Sequence, residues 1–168
     1  MPSYRSVFLM VAGSLTLAPA AMADTDTDNL NVTASVQNSC QITGGTLAFG
    51  LYDTISGAAV DASTSVSVEC TAGTTATITL DQGANADTGS TAEAPLRRLG
   101  DGASHFLAYF LFSDSGRTSA WGDTAGTGVE YTAVSASPAS LTVYGRLGSG
   151  QDVPAGSFSD TVVATVTF

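Results

Sequence analysis

The sequence contains no lysine, and its five basic side chains, all arginine, face 15 acidic residues among 168, for a formal net charge of −10. Only Arg97, Arg98, Arg117 and Arg146 lie beyond residue 23, whereas every acidic residue does. A surface of that sign repels nucleic-acid phosphates and anionic lipid headgroups, so neither is expected as a partner. Cysteine and histidine are almost absent, represented by Cys40, Cys70 and His105 alone. Two thiols and one imidazole cannot fill a tetrahedral zinc site without carboxylates. No Gly-x-Ser-x-Gly elbow accompanies Ser104 and His105, and no acid, base and nucleophile stand out as a set. No catalytic residue, cofactor or small-molecule substrate is therefore expected. Asp24, Asp26, Asp28 and Asp101 offer hard-cation ligands, but the calcium-loop spacing with its closing glutamate is lacking, so no metal is assigned. No stretch sustains a 3.6-residue apolar period, and beyond residue 23 no apolar run approaches the roughly 20 residues of a membrane span.

What is present begins with a leader. Arg5 gives a positive start, Val7 to Leu17 an apolar core, and Ala21-Met22-Ala23 a small-x-small cleavage pattern. Residues 1–23 thus read as a secretory signal peptide cut between Ala23 and Asp24. The apolar core is short for a retained anchor. In an exported chain the single pair Cys40 and Cys70 most simply forms a disulfide. Closing that loop is worth about 3.5–4 kcal/mol on the chain-entropy account.

The rest is a series of short β-patterned runs separated by turn-rich joints. Leu47 to Phe49 is one, ended by Gly50. Thr64 to Cys70 sets Val66, Val68 and Cys70 against Ser65, Ser67 and Glu69, and Thr75 to Leu80 carries Ala76, Ile78 and Leu80 inward. Phe106 to Phe112 is apolar on both faces, the pattern of a strand buried on both sides. Val129–Val134, Leu141–Leu147 and Thr161–Phe168 follow; in the last, Val162, Ala164, Val166 and Phe168 share a face expected to meet the core. Segments 83–95 and 113–128 read as long loops. Seven or eight short strands and no helix predict an all-β antiparallel sandwich.

Residues 29–38, Asn-Leu-Asn-Val-Thr-Ala-Ser-Val-Gln-Asn, alternate most cleanly. Leu30, Val32, Ala34 and Val36 fall on one side and Asn31, Thr33, Ser35 and Gln37 on the other. Periodicity alone leaves two readings open: a first strand of the chain's own domain, or a strand lent to a neighbour.

Several ordered landmarks resemble the spore coat protein U family, which includes the Csu-type pilins of the archaic chaperone–usher pathway. They are Asn38-Ser39-Cys40, Leu47-Ala48-Phe49-Gly50 with Tyr52, Val66-x-Val68-x-Cys70, Tyr109-x-Leu111-Phe112-x-Asp114 and Trp121-Gly122. The strongest is Val143-Tyr144-Gly145-Arg146-Leu147, then Gln151-x-Val153-Pro154-Ala155-Gly156-x-Phe158-x-Asp160-Thr161, ending at Phe168. Phe158 stands where tyrosine is common, and Gly148-Ser149 replaces a frequent Pro-Ala pair; both are loop-level departures.

The resemblance implies an incomplete immunoglobulin-like antiparallel sandwich completed by donor-strand exchange, with an N-terminal extension over 24–38 and a domain over 39–168. A periplasmic chaperone would fill the gap first. An outer-membrane usher would then replace it with the next subunit's extension, giving a head-to-tail self-polymer. On this reading Leu30, Val32, Ala34 and Val36 are the donor plugs, and the strand bearing Val162, Ala164, Val166 and Phe168 borders the receiving, chaperone-facing groove. The implied product is a fimbrial subunit, exported through the periplasm to the cell surface, where the fibre supports adhesion and biofilm formation. The alternative is a secreted β-sandwich binding module or adhesin that does not polymerise.

Overall fold

The computed structural model describes residues 22–168. All but the last two residues of the predicted leader lie outside that range. The chain divides into a unit ending at Ser35 and a unit spanning Val36–Phe168. Residues 22–35 of the first are exposed and carry no strand or helix.

The second unit holds β1 (Cys40–Thr43), β2 (Val60–Cys70), β3 (Thr75–Leu80), β4 (Arg97–Gly100), β5 (Phe106–Phe112), β6 (Val129–Thr132), β7 (Ala139–Leu147) and β8 (Ala164–Thr167). No helix occurs among the described residues. Every strand pairing is antiparallel. The strands form a five-stranded sheet in the order β1-β2-β7-β5-β4 and a three-stranded sheet in the order β6-β3-β8.

Alternation explains which side chains meet between the sheets. β2 turns Val66, Val68 and Cys70 inward, β3 Ala76, Ile78 and Leu80, and β5 Leu107, Tyr109 and Leu111. Burying each large aliphatic of this set contributes about 1.5–3 kcal/mol. β7 adds Val143 and Leu147 with Gly145 between them. That glycine is a steric requirement: a Cβ there would stand 2.5 Å from Leu47 Cδ2 and 3.0 Å from the Phe49 ring. The two side chains thus reach the core over a bare stretch of β7.

Several expectations need correction. Residues 47–49 form no strand; Leu47 and Phe49 are half-buried from an irregular segment. β2 begins at Val60, because its polar first half pairs with β7 from Val60↔Leu147 onward. β4 follows the 83–95 loop, where periodicity gave no strand. β5 is buried on one face only: Phe110 is 42% exposed, because no layer among the described residues covers the outer side of the five-stranded sheet. Finally, Phe168 does not follow Val162, Ala164 and Val166 onto the core; it lies one residue past β8 and is 56% exposed.

Candidate functional site: an open groove beside the last strand

Among the described residues β8 ends its sheet and pairs only with β3. The N–H of Asp81 donates to Val163 O at 3.0 Å, and bonded pairs recur at every second residue of an antiparallel ladder. Thr165 and Thr167 therefore turn their backbone groups to β3, and those of Ala164 and Val166 point to the open edge. The Leu80 N–H, opposite Ala164, accordingly donates to Gly122 O instead.

Beside that edge runs a groove of about 300 Å³. One lip is formed by Gly44 to Leu47 and Phe49, and the other by Asp160 to Val162 and Ala164. Its floor includes Val66, Leu80, Leu111 and Val143, drawn from both sheets. Such a site offers an apolar trough alongside an unsatisfied row of backbone donors and acceptors, the recognition chemistry of an added β-strand. Of the C-terminal residues predicted to border it, Val162 and Ala164 line it and Val166 and Phe168 do not.

Polar clamps fix the chain as it crosses between sheets to become β8. Ser159 exchanges backbone bonds with Gly100 on the edge of β4. Asp160 then accepts the Tyr109 hydroxyl at 2.7 Å on Oδ2, and the Asn85 backbone N–H and Nδ2 at 3.1 and 3.2 Å on Oδ1. Burial, reinforced by this hydrogen bond, holds the Tyr109 phenol well above its ordinary pKa, so it remains a donor. Asp81 Oδ1 accepts the N–H groups of Gly83 and Val163, both at 2.9 Å.

Arg97 ties the sheets together from within. It is 2% exposed. Its Nε donates to Asp81 O at 2.7 Å, and its Nη2 to Leu80 O at 2.6 Å and Trp121 O at 2.9 Å. Trp121 Nε1 donates in turn to Ile78 O at 2.9 Å. Burial lowers the guanidinium pKa, while Tyr109, Asp81, Asp160 and Asp123 oppose that shift. Sequence reasoning passed over Arg97. A lone arginine after a long loop carries no periodic signal, and only the packing shows that it satisfies two buried carbonyls and the part-buried one of Asp81. Gln151 was recognised as a landmark without a role. It bridges Ala108 O and Gly148 O through Nε2, at 3.0 and 2.9 Å, while its own N–H reaches the Tyr52 hydroxyl at 2.9 Å.

The other singled-out residues are distributed as follows. Cys40 and Cys70 are directly opposite on β1 and β2 and are disulfide-bonded. Leu30, Val32 and Val36 are 88%, 83% and 84% exposed, Ala34 is exposed too, and all four lie outside any strand. His105 Nδ1 lies 2.6 Å from Asp101 Oδ2, in the turn between β4 and β5, where Asp101 Oδ1 also accepts the Ala103 N–H. These contacts, led by the His105 hydrogen bond, lower the Asp101 pKa and lock a turn. Among the described residues no three His, Cys, Asp or Glu side chains are grouped to hold a metal ion.

Residues 26–165 match the Spore Coat Protein U domain, and the chain belongs to that family. It is 47% identical over 167 residues to "Protein U" of Myxococcus xanthus, covering 94% of this chain and 93% of that protein. Among solved structures it resembles a chain of the CsuC–CsuE chaperone–tip adhesion subunit pre-assembly complex from archaic chaperone-usher Csu pili of Acinetobacter baumannii. The TM-score is 0.54 at 21% identity, over 79% of this chain and 40% of that one. The likeness is one of fold, an incomplete immunoglobulin-like sandwich of antiparallel sheets.

Proposed function

We propose that this protein is a structural subunit of a chaperone–usher fibre, polymerised by donor-strand complementation. The groove beside the free edge of β8 carries the reading. It is an apolar trough with backbone groups facing outward, while Leu30, Val32, Ala34 and Val36 sit in an exposed segment with no strand partner among the described residues. Inserting residues 29–38 of one copy into the groove of another would cover both. Each copy offers one donor and one groove, so the contact is heterologous and does not close on itself, which yields a fibre.

On this reading residues 1–23 direct export and are removed before Asp24, residues 24–38 are the donor extension, and 39–168 form the receiving domain. A periplasmic chaperone occupies the groove first, and an outer-membrane usher exchanges it for the next subunit. The fibre then serves adhesion and biofilm formation at the cell surface. The fold likeness to a chaperone–subunit complex supports the chaperone step.

The test is electron microscopy of cells expressing the full chain or a form lacking residues 29–38 with the leader retained. Surface fibres from the full chain alone, with the shortened subunit accumulating in the periplasm, are expected. Equal fibres from both would overturn the donor assignment. A stable exported monomer from both would favour the non-polymerising binding module.

A further inference from the structure

We infer that the Cys40–Cys70 disulfide routes tension on a subunit's donor segment into β2, so that it does not pass along β1 into the lip of that subunit's receiving groove. The inference rests on the fibre reading above. In a fibre, pull on the extension enters the domain at Ser39 and Cys40. Cys40 is the first of the four residues of β1, an edge strand that among the described residues is bonded only to the Ser67–Cys70 end of β2. Directly after β1 comes the lip of the groove, Gly44 to Leu47 and Phe49. The donor root and the acceptor lip of one subunit are thus joined through a single short edge strand.

The lip is poorly made to resist a pull. It has no ladder bonds and holds by packing: Leu47 and Phe49 against Gly145, and Gly45 so close to β2 that a Cβ would stand 2.5 Å from Ser65 O. Tension passing along β1 would strip its edge bonds and draw the lip off whatever strand lies in the groove.

The disulfide intercepts that path at its first residue. Cys40 is bonded across the ladder to Cys70, so force passes covalently into β2. β2 is internal to its sheet and pairs with β7 from Val60 to Val68. Thr71 reinforces the root, donating its N–H to Ser39 O at 2.8 Å and its hydroxyl to Gln37 O at 3.3 Å. The lip is then no longer pulled through β1.

Assembled fibres are held at constant force in optical tweezers, oxidised or after treatment with a dithiol reductant, with conversion to two thiols checked by alkylation and mass spectrometry. Reduction after assembly separates this role from any effect on folding or export. The loaded lifetime of reduced fibres should fall by at least about tenfold, while their dissociation without load is unchanged; tenfold corresponds to about 1.4 kcal/mol of barrier. An unchanged loaded lifetime overturns the inference. So does equally rapid dissociation of reduced fibres without load, which would mean that the bond maintains the groove itself. If electron microscopy finds no fibres before reduction, the fibre reading fails and this inference falls with it.

Discussion

β3 and β8 lie side by side in one sheet and carry the same kind of pattern, small or branched apolar residues alternating largely with threonine. Their fates differ. Ala76, Ile78 and Leu80 of β3 are buried, whereas Ala164 and Val166 of β8, and Val162 just before it, are only half-buried. Residues 29–38 repeat the alternation a third time, and there Leu30, Val32 and Val36 stand almost fully exposed. Among the described residues β3 has a strand on each side, β8 on one, and residues 29–38 on none. An alternating segment announces that it can be half of a packed sheet; its neighbours decide how much of it is covered.

That gradient can be broken at its buried end first. Ile78 is fully buried, and Ile78→Asp would place an unpaired carboxylate between the sheets at a cost of several kcal/mol. The domain should fail to fold, with no cooperative thermal transition and no exported protein. A folded Ile78→Asp domain would show that β3 is less enclosed than its neighbours imply.

Arg97 gives the next largest effect. Arg97→Leu keeps apolar bulk but leaves the carbonyls of Leu80, Asp81 and Trp121 without their donor. At about 1–3 kcal/mol for each buried group left unpaired, the expected loss is about 3–5 kcal/mol, allowing for partial relaxation. Urea unfolding of the purified protein measures it, and a loss below about 1 kcal/mol would remove Arg97 as the tie between the sheets.

The exposed end of the gradient separates stability from assembly. Val32→Asp should change the stability of the isolated protein by no more than about 0.5 kcal/mol, the usual range for a surface site. The same change should nearly abolish fibres, because in a neighbour's groove the carboxylate would be buried unpaired. Subunit abundance alongside fibre yield is the readout. Normal fibres would remove Val32 from the set of plugs, and a vanished subunit would mean that this segment stabilises its own domain.

The smallest effect lies on the outer face, away from the gradient. Asp61 accepts Arg146 Nε at 2.7 Å and Nη2 at 2.9 Å, and this pairing, aided by Arg117, lowers its pKa from 3.8. The sign follows from the depressed value. Whatever this pair adds is present above the unfolded pKa and is lost as pH falls through the lower folded pKa, so it does not vary with pH around neutrality. Arg146→Gln should raise the Asp61 pKa toward 3.8 in a carboxyl NMR titration and leave neutral-pH stability nearly unchanged, as for an exposed pair. No upward movement would assign the shift to another group.

Much of the fold was legible because its signals are local. Val66, Val68 and Cys70, or Ala76, Ile78 and Leu80, reach one face through the two-residue repeat of an extended chain, whatever surrounds them. The segments that alternation did not resolve depend on a partner. β4 is a strand because β5 lies beside it, the first half of β2 because β7 does, and Leu47 and Phe49 reach the core because Gly145 leaves room. The groove was legible only in part. Val162 and Ala164 follow from alternation, whereas the opposite lip and the floor come from residues distant in sequence.

The sequence by itself determined the all-β class, the pairing of its two cysteines and the near absence of free cationic chemistry, since these follow from periodicity, composition and an even cysteine count. It also placed an alternating segment ahead of the domain. Only the tertiary structure decided which alternating segments are covered, that Arg97 closes the core, and that β8 has one open edge beside an apolar trough. Burial and backbone hydrogen-bond satisfaction belong to the arrangement of neighbours, and a strand's own residues cannot supply the strand beside it.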